Sequence, residues 1–222
     1  MNAPAAHYTA QITQENDNQE LVHHLFRFRK TLFVDLLCWD LRSEDGLERD
    51  EFDRPDTLHV ALHRNGTLVG GFRALRADRP YLASEVFPEL AVTRSYPRQS
   101  DVWEISRFGI LPLDDPRARL EAARVNYATM IRFAQSRNAR SLVAIADVTY
   151  ERFLSKLGIR TRRYGPPRPT GRDAAGQPRE LLAGEIPLAD QSGVRFQRLL
   201  DLAQTVEIID EAHVLGRHAI PA

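Results

Sequence analysis

Cysteine is almost missing from this chain. The single copy, Cys38, leaves no partner for an internal disulfide and no thiolate set for a metal cluster. Lysine is nearly absent too, at Lys30 and Lys156 only, so the 30 basic side chains are almost all arginine, set against 30 acidic ones. That balance removes bulk positive charge as a pointer to nucleic acid. Arginine suits planar, two-pronged recognition of carboxylate and phosphate, although GC-rich coding produces the same skew. No apolar run nears the roughly 18 residues of a membrane span. The segment Met1–His7 lacks the charged start and apolar core of a secretory leader. A soluble, cytoplasmic protein without a membrane partner is expected. His23, His24, His59 and His63 have no cysteine or carboxylate company at ligand spacing, so no metal is expected.

What is present fits one domain of 222 residues, 43% hydrophobic and 27% charged. Leu21, Leu25, Phe28, Leu32 and Leu36 recur at three- and four-residue steps and predict an amphipathic helix over 19–37. Cys38–Pro55 has neither period. It reads as an acidic loop of about 18 residues, a length usually reserved for function, with Trp39, Leu41, Leu47 and Phe52 as anchors. Thr57–Arg64 and Thr67–Arg76 read as strands joined at Asn65-Gly66, a strong hairpin signal. Gly70-Gly71 suggests a bulge or a close backbone approach. A short helix is expected within 81–90. Asp114-Asp115 caps a helix to about Asn138, with Leu120, Val125, Ala128, Ile131 and Phe133 or Ala134 toward a core. Ser141–Ala146 is an apolar strand of the buried type. Thr149–Leu157 is a helix stopped by Gly158. Ile159–Tyr164 and Glu180–Pro187 read as strands around a Pro/Gly loop at 166–178, and 192–209 as a C-terminal helix. The order predicts a mixed sheet with helices on both faces, a three-layer α/β/α sandwich.

The stretch Asp101–Phe108 is the central strand of that sheet. Val102, Trp103, Ile105 and Phe108 suit a packed surface, yet Glu104 and Arg107 interrupt it, and buried charges need partners. Three apart on a strand, they face opposite sides unless a bulge intervenes.

In fold, this order resembles the Gcn5-related N-acetyltransferases, which cradle coenzyme A phosphates on a glycine-rich loop after the central strand. Here that place reads Leu113-Asp-Asp-Pro-Arg-Ala-Arg-Leu120, with no glycine and two carboxylates. A second resemblance accommodates this. Arg29, Phe33, Trp39, Asp50, Asp53, Arg73, Glu104 and Ser106-Arg107-Phe108, in order over residues 20–160, resemble the LuxI-type acyl-homoserine-lactone (autoinducer) synthases. Past residue 160 the likeness is loose.

That resemblance implies an acyltransferase of quorum sensing. The α-amine of S-adenosylmethionine attacks an acyl thioester, and the methionine carboxylate then closes onto its own γ-carbon, expelling methylthioadenosine. No cofactor is implied, since S-adenosylmethionine is a substrate. Residues 19–56 would close its site, 57–188 form the sheet core, and 189–222 a C-terminal helix and tail. Arg29, Phe33, Trp39, Asp50, Asp53 and Arg73 are the candidate binders, because carboxylates and an aromatic face suit a sulfonium and an ammonium. Glu104 is the candidate base, Arg107 and Ser106 its companions. Val143, Ile145, Phe153, Met130 and Phe108 are the expected acyl pocket. Ala146-Asp147, where makers of 3-oxo products often carry threonine, weighs against a 3-oxo chain. Plain readings stand beside these: Phe33 and Trp39 as core anchors, Arg73 and Arg107 as structural ion pairs, Ser106 as filler. The cationic bias of Arg124, Arg132, Arg137, Arg140, Lys156, Arg160, Arg162 and Arg163 suits an acidic acyl carrier protein or the phosphates of acyl-coenzyme A. The alternatives are an N-acetyltransferase acting on another amine and a non-catalytic ligand sensor.

Overall fold

Tyr8, Ala10 and Ile12 are buried at alternate positions of β1 (Tyr8–Thr13), a strand the expected order omits. The computed structural model describes residues 6–172 and 178–212. After β1, Asn18 caps α1 (Gln19–Arg29) by accepting the Leu21 N–H, and the helix continues in π geometry through Lys30–Leu36. The wider i→i+5 turn changes the helix phase. Leu21, Leu25, Phe28 and Leu32 stay buried, while Leu36, expected on the same stripe, is 49% exposed.

The acidic stretch is not wholly irregular. β2 (Ser43–Glu44) and β3 (Leu47–Glu48) form a small hairpin on Asp45-Gly46, both in the left-handed region that this type of turn requires. Then come β4 (Leu58–Arg64), β5 (Thr67–Arg76), α2 (Leu82–Val86), β6 (Val102–Ile110), α3 (Pro116–Ser136), β7 (Ser141–Asp147) and α4 (Val148–Leu157). The remainder is β8 (Arg162–Arg163), β9 (Arg168–Arg172), β10 (Pro178–Pro187), α5 (Val194–Gln204) and β11 (Glu207–Asp210). Four expectations change here. The strand at 159–164 shrinks to two residues. Arg168–Arg172, read as loop, is strand, and 173–177 lie outside the described residues. The C-terminal helix ends at Gln204, and Glu207–Asp210 pairs in parallel with β1. Leu120 of α3 is 52% exposed rather than in the core.

The main sheet runs β11-β1-β4-β5-β6-β7-β10-β8, with β9 beside β10. Most neighbours are antiparallel, but β6 and β7 are parallel. α1 and α2 cover one face; α3 and α5 pack together on the other. Gly71 permits the close approach expected of it. A Cβ there would lie 2.2 Å from the Val60 carbonyl oxygen and 3.3 Å from Leu25 of α1.

The site is positioned by a fault in the parallel pair. β6 and β7 are bonded only from Val102↔Ser141 to Glu104↔Val143. Beyond that register both strands continue apart, and both change from buried to partly exposed toward their ends, at Phe108–Ile110 and Ala144–Asp147. The halves splay into a cleft at the middle of the sheet.

Candidate active site

Beside this cleft, on the α1 face, three guanidinium groups and three carboxylates interlock. Arg29, at the end of α1, donates Nε to Glu48 at 2.5 Å, and Nη1 and Nη2 to the two oxygens of Asp53 at 2.7 and 2.9 Å. Arg73 of β5 donates Nη1 to Asp50 and, at 3.0 Å, to Asp53, and its Nε bonds the Ser106 hydroxyl at 3.0 Å. Arg107 of β6 donates to Glu48 at 2.8 Å and to Asp50 at 2.9 Å. The Asp50–Asp53 segment is fixed locally. The Asp50 N–H donates to Asp53 at 2.9 Å, and the Phe52 N–H to Asp50 at 2.9 Å.

Burial separates these six. The side chains of Arg29, Glu48, Asp53 and Arg73 are 3% exposed or less, whereas Asp50 reaches 15% and Arg107 7%. Only the Asp50–Arg107 edge meets solvent appreciably. Desolvation works against the Asp53 charge, but Arg29 and Arg73 outweigh it and hold the carboxyl well below its ordinary range. Burial likewise opposes ionisation of Glu48, and its bonds to Arg107 and Arg29 bring it below normal. His59, on β4 and 4.0 Å from Asp53, is pushed down to about 3 by burial and by the nearby guanidinium groups, so it is neutral at pH 7.

Arg107 joins this cluster because of a bulge. Gly71 pairs with Gly109 and Arg73 with Ser106, so Phe72 alone faces both Arg107 and Phe108, and Arg107 takes φ 51°. The opposite-sides rule for Glu104 and Arg107 therefore gives way.

Glu104 is fully buried and accepts backbone N–H bonds from Leu82 at 3.0 Å and Ala83 at 2.7 Å, the first residues of α2. Burial pushes its carboxyl up to about 7, against the lowering effect of those amides and of Arg73. Its proton affinity is thereby raised toward neutrality, and its two amide bonds anchor the start of α2. Arg73 Nη2, buried, has no hydrogen-bond partner among the described residues.

Phe33 and Trp39 stack at 4.9 Å, and Arg179 of β10 lies over the Trp39 ring at 5.2 Å. Trp39 is half-buried, and through these two contacts it links the α1 segment to β10. The expected acyl pocket does not lie on one face. Phe108, Met130 and Phe153 belong to the α3 cluster, with Tyr127 between Phe108 and Phe153. Val143 and Ile145 point to the other face, with Phe52, Tyr81 and Tyr164. Alternation along β7 turns Leu142 toward the α3 cluster and Val143 and Ile145 away from it. Among the described residues no group of three or more His, Cys, Asp or Glu is arranged to hold a metal ion.

Glu48 escapes a sequence reading, since its only signal is membership of an acidic stretch two residues before Asp50. Arg179 escapes it too, because its contact with Trp39 spans 140 positions of chain.

A mixed sheet splayed at its one central parallel pair, with helices on both faces, is the α/β architecture of the Gcn5-related acyltransferases. Within it the buried Arg–carboxylate cluster is more specific. The chain belongs to the autoinducer synthase family, whose model matches residues 13–191. Acyl-homoserine-lactone synthases of Aeromonas salmonicida and Ralstonia solanacearum are 35% identical over 155 residues and 37% identical over 153. These matches cover 68% and 66% of this chain and 75% of each relative. Among solved structures, the coenzyme A-dependent synthase BjaI, with S-adenosylmethionine and isopentyl-coenzyme A, has a TM-score of 0.77 at 22% identity, over 92% of this chain and 93% of that one. TofI, in a ternary complex with an inhibitor and methylthioadenosine, has a TM-score of 0.68 at 29% identity, over 92% and 98%. The protein is an enzyme, an acyltransferase.

Proposed function

We propose that this protein makes an N-acyl-L-homoserine lactone from S-adenosylmethionine and an acyl thioester, releasing methylthioadenosine. The observation that carries the reading is the partly exposed Asp50–Arg107 edge of the buried ion cluster, with Arg107 on β6 just beyond the point where that strand parts from β7. Asp50 attracts the ammonium, Arg107 the carboxylate, and the Trp39 face the sulfonium or adenine. Arg29, Glu48, Asp53 and Arg73 hold that edge rigid.

The acyl chain lies in the splay, where Phe108 and Phe153 approach from one side and Ile145 from the other. The amine attacks the thioester carbon; a C–N bond forms, the thiolate leaves, and the ammonium proton passes to Glu104 through a water. The carboxylate oxygen then displaces methylthioadenosine from the γ-carbon of the same methionyl unit. Glu104 has the right proton affinity for the first step at neutral pH. We assign no cofactor and a cytoplasmic location; among the described residues no helix is long and apolar enough to cross a membrane.

The donor is assigned as an acyl carrier protein. A groove of about 1,100 Å³ is lined by Arg152, Lys156, Arg160 and Arg195, with Glu151 as its one acid. By contrast Arg137, Arg140, Arg162 and Arg163 are paired with Asp210, Asp101, Asp190 and Glu151. The start of α3 is occupied by its own Asp115, which accepts the Arg117 N–H at 2.9 Å and leaves a poor cradle for a pyrophosphate. Incubation with S-adenosylmethionine and matched carrier-protein and coenzyme A thioesters, followed by mass spectrometry, tests the reading. Lactone and methylthioadenosine are expected together. If neither rises above the control without thioester for any donor, the assignment is lost.

A further inference from the structure

Arg107 reaches the site only because β6 is bulged there, and a residue in the left-handed region needs its neighbours to hold it. The holding group is not on the site face. From the opposite side, Asn126 of α3 donates Nδ2 to the Gly109 carbonyl at 3.3 Å and to the Gly71 carbonyl at 3.4 Å. Gly71 and Gly109 are the pair that closes the bulge. A bulge disrupts the local ladder, and a buried carbonyl left without a donor is costly.

Two other residues of α3 meet this region with rings: Tyr127 against Phe108, and Phe133 against Phe72 and Trp103. An amide is out of place in that layer. Asn126 is fully buried, and its Oδ1 has no partner among the described residues. A leucine of similar volume would avoid that orphan acceptor. The two Nδ2 bonds are the gain that sets an asparagine there.

We propose that Asn126 is a positioning residue: from the far face of the sheet it clamps the bulge that turns Arg107 toward Asp50 and Glu48. Asn126 touches no substrate and acts through Arg107. The inference rests on the reading of the Asp50–Arg107 edge as the S-adenosylmethionine site.

A double-mutant cycle tests it. Asn126→Leu, with Asn126→Ala as substitute if the first does not fold, is made with Arg107 intact and with Arg107→Ala. S-adenosylmethionine affinity is measured by calorimetry and the thermal midpoint by circular dichroism. With Arg107 present, affinity should fall about tenfold, and with Arg107→Ala less than about twofold further, the non-additivity of residues acting as a unit. The KM for the acyl donor should stay within about twofold, a split that general loosening of the fold would not give. Equal losses in both backgrounds, or a parallel rise in both KM values, would overturn the proposal. If the unmutated protein fails to bind S-adenosylmethionine, the site reading falls by itself. The midpoint cycle then judges the clamp: non-additive shifts support it, additive shifts reject it.

Discussion

The Arg29 guanidinium and the Asp53 carboxylate face each other through two parallel bonds, at 2.7 and 2.9 Å, with both side chains closed to solvent. Asp50, three residues earlier, is the partly exposed carboxylate of the same network. The two aspartates should therefore fail differently. Asp53→Asn leaves Arg29 and Arg73 buried without full compensation, a loss of about 3–5 kcal/mol. Asp50→Asn should cost about 1 kcal/mol in stability but weaken S-adenosylmethionine binding about tenfold or more. Urea unfolding and calorimetry on both variants check this; similar stability losses would merge the two roles.

Glu104 makes a pH prediction whose sign is fixed. Its folded carboxyl is raised from 4.5 to about 7, so the folded state prefers the protonated form. Below pH 4.5 this costs nothing. Between 4.5 and 7 the cost grows, reaching about 3 kcal/mol above 7. The unmutated protein should lose stability across that window relative to Glu104→Gln, whose profile should be flatter. Glu48 and Asp53, lowered on folding, act oppositely: their contribution is full above the ordinary carboxylate range and fades as pH falls below it. Thermal melts of both proteins from pH 4.5 to 8.5 compare the slopes.

Turnover tests the same group. If Glu104 takes the amine proton, kcat/KM for S-adenosylmethionine should rise with pH through about 7, and Glu104→Gln should reduce kcat by about a hundredfold or more while remaining folded. Near-normal rates in that variant would leave Glu104 solely as the anchor of Leu82 and Ala83.

Trp39 stacks on Phe33 and carries Arg179 on its ring. Trp39→Phe keeps an aromatic face and should hold KM for S-adenosylmethionine within about threefold, while Trp39→Ala raises it about tenfold, the scale of a lost cation–π and packing contact. Steady-state kinetics on the pair decides it. Equal effects would point to simple packing.

Lys156 and Arg152 line the cationic groove. Reversing both to glutamate should raise KM for an acyl carrier protein at least tenfold at low salt, with the difference shrinking as ionic strength rises. The KM for S-adenosylmethionine should not move. An unchanged carrier-protein KM would separate the groove from donor docking.

Local patterns were legible where one face of an element decides its sequence. Alternation with Asn65-Gly66 marks β4 and β5, three- and four-residue steps mark α1 and α3, and Asp115 and Gly158 mark helix ends as they should. β1 carries the same alternation, yet is too short to stand out. β11 is four residues that become strand only because β1 offers an edge. The spaced charges from Arg29 to Arg107 were legible as a set, and the family with them.

By itself the sequence determined the main helices and strands, the β4–β5 hairpin, the site residues from Arg29 to Arg107 other than Glu48, and the kinship to autoinducer synthases. Only the tertiary structure decided which carboxylate meets which guanidinium, that Asp53 is sealed while Asp50 is reachable, and that Glu104 grips α2. It also decided that a bulge brings Arg107 to the site face. The physical reason is one of range. Periodicity and capping act within a few residues, whereas a buried charge is settled by whatever closes over it, and here those partners lie between 19 and 59 positions away.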